Sequence, residues 1–244
     1  MFARRIEEAS LNAWPALHQL LYDGWIIRLS NGYTKRANSV TPLYPSALEV
    51  EENIAYCERL YRQQGLPPIF RLTSHACPPG LDEALAARGY RVVDPTLVWR
   101  LGLSPDALSP PSASWRQTTL EEWLLTYTRL SGGAPGSAPK HAEILRAIAL
   151  PTLYACLDGA GGEPVACGLA VLEGDLVGLF DLVTDPAARR RGHGTALLLG
   201  MLHWAASEGA RHAYLQVVRD NAPARALYDR LGFRQVYHYW YRLP

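Results

Sequence analysis

The sequence predicts an α+β protein in which strands and helices alternate, and three observations lead to this fold class. Short apolar runs of strand character alternate with amphipathic stretches of helical spacing along most of the chain. Residues 102–114 (GLSPDALSPPSAS) hold three prolines and four serines without periodicity, which is typical of a linker. The segments on either side of this linker end in a similar order of elements.

That similarity predicts a tandem repeat. Gly89-Tyr90-Arg91 and Gly232-Phe233-Arg234 each follow a short helical pattern and precede a strand pattern, 143 positions apart. Trp99-Arg100-Leu101 and Tyr241-Arg242-Leu243 match 142 positions apart. We therefore expect one half-fold to occur twice, as domains 1–101 and 113–244 joined by a linker at 102–112.

The apolar periodicity predicts the individual elements. In the first half it predicts helices over 2–22, 47–64 and 81–88, and strands over 25–29, 33–40, 68–73 and 91–101, with a hairpin turn at Asn31-Gly32. In the second half it predicts strands over 115–118, 152–157, 165–172, 176–184, 213–218 and 233–243. Helices are predicted there over 120–130, 140–149, 194–207 and 223–231.

Composition narrows the classes of function. A net charge of +1 supplies no excess charge to hold a nucleic acid or a membrane surface. No apolar run is long enough for a membrane span, and the start of the chain has no secretory pattern, so we expect a cytoplasmic protein, monomeric or homodimeric. The four cysteines lie neither in a CxxC pair nor at ligand spacing from a histidine, so we expect reduced thiols and no metal.

One segment carries a pattern for ligand binding. The apolar strand over 176–184 leads through Asp185-Pro186 into a basic glycine loop, Arg189-Arg190-Arg191-Gly192-His193-Gly194, and then into a helix. Free N–H groups and the positive end of the helix dipole suit a phosphate or pyrophosphate there. No Gly-Lys-Ser/Thr follows, so the loop is not a Walker P-loop, and it lacks the dinucleotide fingerprint. A solvated basic turn is the alternative for such a loop on its own.

Two motifs together resemble the GCN5-related N-acetyltransferase (GNAT) superfamily. Arg189–Gly194 fits its R/Q-x-x-G-x-G/A motif. Asn221–Tyr228 followed by Leu231-Gly232-Phe233 is similar to its N-x-x-A-x-x-L-Y-x-x-x-G-F element. The resemblance covers about 113–244. It implies a mixed, mostly antiparallel sheet with central splayed parallel strands flanked by helices, preceded by a smaller degenerate GNAT-like domain.

The resemblance also implies an acetyl-CoA-dependent N-acetyltransferase that needs no metal. Backbone amides of the loop would hold the pyrophosphate. Leu182, Val183 and Thr184, at the end of the strand before the loop, would pair with the pantetheine arm, and an unpaired N–H where the two parallel strands splay would meet the thioester oxygen. Asn221 would bond the pantetheine amide, cap its helix, or do both. The implied cofactor-binding residues are Leu182, Val183, Thr184, Arg189, Arg190, Arg191, Gly192, His193, Gly194, Thr195, Asn221, Ala224 and Tyr228.

Acyl transfer to an amine needs a neutral amine, a donor to the oxyanion and a proton for the leaving thiolate. Tyr228 lies where the family's general-acid tyrosine lies, although a packing role is the alternative. Asp181 is a carboxylate inside an apolar strand, which is costly unless it is paired or used, so it is the candidate base or amine-binding group. Gln216 on the next strand cannot take a proton, and a water relay without a dedicated base remains an alternative.

The first half lacks the matching chemistry. Residues 40–46 (VTPLYPS) stand where the second half has its glycine loop, with two prolines and no glycine, and Leu85 stands opposite Tyr228. We therefore expect the first half to complete the fold or to shape the acceptor site. The polar segment 35–39 faces the acceptor cleft or solvent, and the aromatic run 237–241 packs in the core or borders the acceptor site.

Two other functions are weighed against the enzyme. A non-catalytic acyl-CoA sensor would bind CoA without turnover, but Tyr228 argues against it. A nucleic-acid binder using Arg189–Arg191 is disfavoured by the neutral composition. Small amines, amino acids, antibiotics, protein N-termini and lysines all remain open as acceptors.

Overall fold

The structure is a computed structural model that describes residues 2–104, 113–132 and 136–244. Its helices are α1 (Phe2–Ala13), α2 (Val50–Gln63), α3 (Leu81–Ala87), α4 (Leu120–Ser131), α5 (Ser137–Arg146), α6 (His193–Ser207) and α7 (Ala222–Arg230). Its strands are β1 (His18–Tyr22), β2 (Trp25–Leu29), β3 (Val40–Pro42), β4 (Phe70–Thr73), β5 (Arg91–Gly102), β6 (Trp115–Gln117), β7 (Thr152–Asp158), β8 (Pro164–Glu173), β9 (Leu176–Thr184), β10 (His212–Val218) and β11 (Arg234–Leu243).

The predicted helix over 2–22 is wrong in its second part. Helix α1 ends at Ala13, and 18–22 forms the edge strand β1, which pairs with β2 across Tyr22 and Trp25. Pro15 disfavours a helical conformation at the residue before it, which ends the helix. Asp23 and Gly24 then adopt φ of 42° and 78°, as a tight hairpin turn requires.

The predicted strand over 33–40 is also wrong in most of its length. Lys35–Ala37 forms a 3-10 turn, and only the residues from Val40 to Pro42 pair as a strand. Thr34 begins the turn, and its hydroxyl accepts a hydrogen bond from the Ala37 amide at 3.3 Å. A side-chain cap of this kind competes with strand pairing.

All the strands that the structure describes join one sheet, and the predicted α+β class with a mixed, mostly antiparallel sheet is confirmed. The strand order is β1-β2-β3-β4-β11-β5-β10-β9-β8-β7-β6. Among the strands of the described residues, β3 with β4 and β9 with β10 are the parallel pairs. Most of α6 is buried, and its packing against β8 and β7 covers one face of the second half.

The last strand of each half crosses into the other half. Strand β11 lies between β4 and β5, and β5 lies between β11 and β10. Each half therefore completes its sheet with a strand from its counterpart. The division into domains 1–101 and 113–244 stays a prediction, and 105–112 of the predicted linker lie outside the described residues.

A buried ion pair sits beside this strand exchange. Glu7 of α1 pairs with Arg71 of β4, and their side chains are 0% and 1% exposed. The Tyr237 hydroxyl of β11 donates a hydrogen bond to Glu7. The Arg71 guanidinium lies 3.8 Å from the ring centroid of Tyr239. This cluster ties α1, β4 and β11 together across the two halves.

None of the helices within the described ranges combines the length and apolarity needed to cross a membrane.

The contact of α6 with β6 leaves no room for a side chain at Gly200. A Cβ placed there would lie 2.2 Å from the indole atoms Cδ1 and Nε1 of Trp115. We expect Gly200→Ala to lower the free energy of unfolding by about 1–3 kcal/mol through overpacking. Alanine's better helix propensity, about 1 kcal/mol, offsets some of this loss and leaves a net loss of up to about 2 kcal/mol.

Urea denaturation measures the change. The matched control is Gly161→Ala, because a Cβ at Gly161 would meet nothing within 4 Å. The control should change stability by less than about 0.5 kcal/mol. A Gly200→Ala protein at least as stable as the unsubstituted chain would show that Trp115 does not limit the contact.

Candidate active site

The site begins where the two central parallel strands separate. Strands β9 and β10 pair from Leu176 with His212 to Leu179 with Leu215. Beyond these pairs β9 continues to Thr184 and β10 to Val218 without pairing to each other. The splay implied by the resemblance is therefore present, and it leaves two backbone edges facing a gap.

A bulge in β9 sets the direction of Asp181. The register with β8 shifts so that Asp181 and Leu182 lie opposite the single residue Gly168. Asp181 adopts a φ of 48°, which is uncommon outside glycine and asparagine. A Cβ on Gly168 would lie 2.8 Å from the Leu182 side chain, so a glycine is needed opposite the bulge.

Asp181 is paired with a histidine that the sequence patterns did not single out. Its Oδ2 lies 2.9 Å from Nε2 of His141 on α5, and the two side chains are 14% and 3% exposed. When Asp181 is ionised, this hydrogen bond requires the proton on Nε2. The His141 ring is surrounded by aromatic rings at centroid distances of 4.9–6.0 Å, from Trp14, Tyr33, Trp123 and Tyr127.

The Asp181 carboxylate contributes to the raised pKa values of two neighbouring tyrosines. Burial, together with the Asp181 carboxylate, raises the pKa of Tyr33 to about 12. The same two causes raise the pKa of Tyr127. Both phenols therefore stay protonated around the carboxylate at neutral pH. Tyr33 comes from the first half, so both halves contribute to the site.

The glycine loop folds into a ligand cradle at the start of α6. Asp185 Oδ1 accepts a hydrogen bond from the Ala187 amide at 2.8 Å and begins a 3-10 turn. Gly192 adopts a φ of 85° immediately before the helix, a conformation that suits glycine. A Cβ on Gly194 would lie 3.3 Å from the Thr184 hydroxyl, so α6 approaches β9 closely. The first-turn amides of α6 lack intrahelical partners and are available to an anion.

This cradle opens into a cavity of about 820 Å³, here called the donor cavity. Every residue expected to bind the cofactor lines it, except Arg191, whose side chain is exposed and lines neither this cavity nor the next. Asn221 begins α7, and its Oδ1 accepts a hydrogen bond from the Ala224 amide at 3.2 Å. Asn221 therefore caps its helix and also faces the cavity.

A second cavity of about 710 Å³, here called the acceptor cavity, lies on the other side of the splayed strands. Asp181, Gln216, Tyr127 and Arg36 are on its wall. It shares wall residues with the donor cavity, namely Leu182, Val183, Arg189, Asn221, Ala224 and Tyr228. The two cavities therefore meet in the gap between β9 and β10.

Tyr228 lies at this junction. It is 8% exposed, and its ring packs 5.9 Å from the ring of Phe233. Burial raises the pKa of the Tyr228 phenol to about 12. The phenol therefore keeps its proton across the range of pH in which enzymes work. Gln216 lies nearby on β10 and accepts a hydrogen bond from the Tyr239 hydroxyl at 3.0 Å.

Comparison with known proteins agrees with this geometry. The family model described as "Probable histone acetyltransferase Rv0428c C-terminal" matches residues 3–242. The Bacillus subtilis (strain 168) protein named "Uncharacterized N-acetyltransferase YobR" is 31% identical over 247 residues, covering 98% of each chain. The chain belongs to the GNAT superfamily. It is an N-acetyltransferase of a family that uses acetyl-CoA.

Solved GNAT structures share the whole fold. A GCN5-related N-acetyltransferase from Kribbella flavida superposes with a TM-score of 0.74 at 18% identity, covering 99% of this chain and 95% of that one. A tandem GNAT protein from the clavulanic acid biosynthesis pathway superposes with a TM-score of 0.66 at 12% identity, covering 98% and 87%. Both similarities in fold extend over the first half as well as the second.

Proposed function

We propose that this GNAT protein transfers the acetyl group of acetyl-CoA directly to a primary amine. The observation that carries the proposal is the meeting of the donor and acceptor cavities at Tyr228, in the gap between β9 and β10. Acetyl-CoA and an amine held on opposite sides of this gap react with each other directly, so no residue of the protein needs to be acetylated first. Holding them in this way removes much of the entropic cost of a bimolecular reaction.

The donor cavity fits a pyrophosphate and its pantetheine arm. The first-turn amides of α6, with Arg189 and Arg190, hold the pyrophosphate. The unpaired edge of β9 over 182–184 offers backbone groups to the pantetheine amides. Acetyl-CoA supplies an activated thioester, and an N–H of this edge donates to the developing oxyanion.

Asp181 accepts the proton of the attacking amine, directly or through a water. The amine must lose this proton because an ammonium has no lone pair with which to attack. Asp181 lies on the wall of the acceptor cavity beside the junction. His141 fixes the orientation of its carboxylate through the 2.9 Å hydrogen bond. Tyr228 gives its proton to the departing thiolate, so the leaving group departs as a neutral thiol.

Free-thiol release from acetyl-CoA across a panel of amines and peptides tests the proposal, with the acetylated product identified by mass. We expect at least one amine to raise thiol release well above hydrolysis, and Asp181→Asn to lower that rate. If CoA binds but no amine raises thiol release, the protein is a CoA-binding sensor and the proposal is wrong.

The pH dependence follows from the raised pKa of Tyr228. A general acid must be protonated, and a pKa of about 12 keeps the phenol protonated far above neutral pH. We expect kcat to rise with pH as the bound amine loses its proton, and not to fall at any pH below about 10. Steady-state kinetics with a saturating amine measures this profile. A fall in kcat with an apparent pKa well below 10 would assign the acid to another group.

A further inference from the structure

The first half places an arginine on the wall of the acceptor cavity. Arg36 belongs to the 3-10 turn Lys35–Ala37, within the polar segment predicted to face the acceptor cleft or solvent. Its guanidinium carbon lies 5.2 Å from the ring centroid of Trp14 and 5.9 Å from that of Phe180. These aromatic faces hold the cation at the cavity without neutralising it.

Arg36 donates a hydrogen bond to the Tyr239 hydroxyl, but it lacks the carboxylate or the set of carbonyl oxygens that the other enclosed arginines of the first half contact. Arg28 donates to the carbonyl oxygens of Leu11, Trp14 and Arg36, and Arg71 pairs with Glu7. Within the described ranges, no carboxylate lies within 4.0 Å of the Arg36 guanidinium. The Nε of Arg36 is buried and has no hydrogen-bond partner there. A partly buried, unpaired cation is costly unless something else neutralises it.

The charges around the cavity favour an anion. Arg36, Arg129 and Arg189 line it, against the single carboxylate of Asp181. Residues 133–135, which follow Gly132 in the sequence and lie outside the described residues, are Gly-Ala-Pro and carry no side-chain charge. Arg129 and Arg189 each donate to a backbone carbonyl, so these bonds leave their charges unpaired. Because Arg189 is also assigned to the pyrophosphate, Arg36 and Arg129 are the two cations left to the acceptor, and they outnumber the single carboxylate.

Arg36 and Asp181 act on one another across this space. Burial alone would lower the pKa of Arg36, but two tyrosines of β11 and Asp181 raise it. One wall of the cavity thus presents a carboxylate for an amine and, within its electrostatic reach, a cation with no carboxylate in contact. This pairing matches a molecule in which an amine and a carboxylate are attached close together.

We propose that the acceptor is an amine with a carboxylate beside it, as in a free amino acid. The carboxylate binds Arg36, and the amine lies at Asp181 facing the junction of the cavities. This inference rests on the proposed function. A peptide N-terminus or an alkylamine lacks the adjacent carboxylate, and either would leave Arg36 unpaired.

Calorimetry with saturating CoA tests the inference without requiring turnover. The probes are the twenty L-amino acids and their C-terminal amides, so each pair differs only in the carboxylate. We expect at least one acid to bind about 10- to 100-fold more tightly than its amide, as a lost charged hydrogen bond predicts. In Arg36→Met that preference should fall to about twofold or less, and Arg36→Lys should restore part of it.

Arg62→Met is the matched control, because Arg62 is an exposed arginine of α2 away from both cavities. The Arg62→Met protein should keep the preference of the unsubstituted protein for amino acids over their amides. The inference is overturned if no amino acid binds, if every amide binds as well as its acid, or if Arg36→Met keeps the preference. It is also overturned if Arg36→Met weakens CoA binding itself, because Arg36 would then serve the donor.

Thiol release separates this inference from the proposed function. If some amine is acetylated while acids show no advantage over amides, the function stands and the inference fails. If acids bind through Arg36 but no amine is acetylated, the binding preference stands and the proposed function fails. Circular dichroism and thermal unfolding of Arg36→Met and Arg36→Lys show whether either variant is misfolded.

Discussion

Tyr228→Phe is expected to lower kcat by about 10²- to 10⁴-fold, the usual contribution of a positioned general acid. The substitution removes one hydroxyl and keeps the ring that packs against Phe233. The fold and the donor cavity should therefore remain, and the Kd for CoA should change by less than about threefold. Steady-state kinetics and calorimetry on the same preparation measure the two quantities.

Tyr56→Phe is the control for this prediction. Tyr56 stacks on Tyr22 in the first half, with ring centroids 3.7 Å apart, and lines neither cavity. Its kcat should equal that of the unsubstituted protein. If Tyr228→Phe keeps full kcat at every pH, solvent protonates the thiolate and the phenol only packs.

Glu7→Ala is expected to lower the free energy of unfolding by about 3–5 kcal/mol. The substitution leaves the Arg71 guanidinium buried without its carboxylate. It also removes the acceptor of the Tyr237 hydroxyl. Chemical denaturation of the folded chain measures the loss, and Glu52→Ala, an exposed glutamate of α2, is the matched control.

A double substitution shows whether that loss of stability comes from the unpaired buried charge or from packing. Replacing both partners by leucine removes the two buried charges together, so the loss should be smaller than for Glu7→Ala alone. A loss below about 1 kcal/mol for Glu7→Ala would show that the pair does not stabilise the exchange of strands between the halves. An equal loss in the double variant would point to packing in place of charge.

The donor side of the site was predictable because its signals are local in sequence. The glycine loop, its strand and the Asn221–Tyr228 segment each lie within one short stretch, and the structure brings them to one cavity. Asp181 was visible as a carboxylate in an apolar strand. The roles of His141 and Arg36 were not predictable. The sequence shows a histidine on a helix and an arginine in a polar segment, but it does not show which distant residues they contact.

The edge of the sheet was mispredicted for a related reason. Strand β1 is almost wholly exposed, so its apolar residues do not alternate and they also fit helical spacing. The crossing of β5 and β11 into the opposite halves was also not predictable from the sequence. Strands β5 and β11 share the same Gly-aromatic-Arg start, so neither pattern shows which half it will join.

The number of CoA molecules bound per chain tests the account most directly. The first half has a proline-containing loop in place of the glycine cradle, and a buried Leu85 in place of Tyr228. Calorimetry should therefore give one CoA per chain. Binding should be lost in Gly192→Val, which forces a branched residue to a φ of 85°, and kept in Ala47→Val, directly after the matching loop of the first half. Two CoA molecules per chain, or unchanged binding in Gly192→Val, would contradict a single donor site at the start of α6.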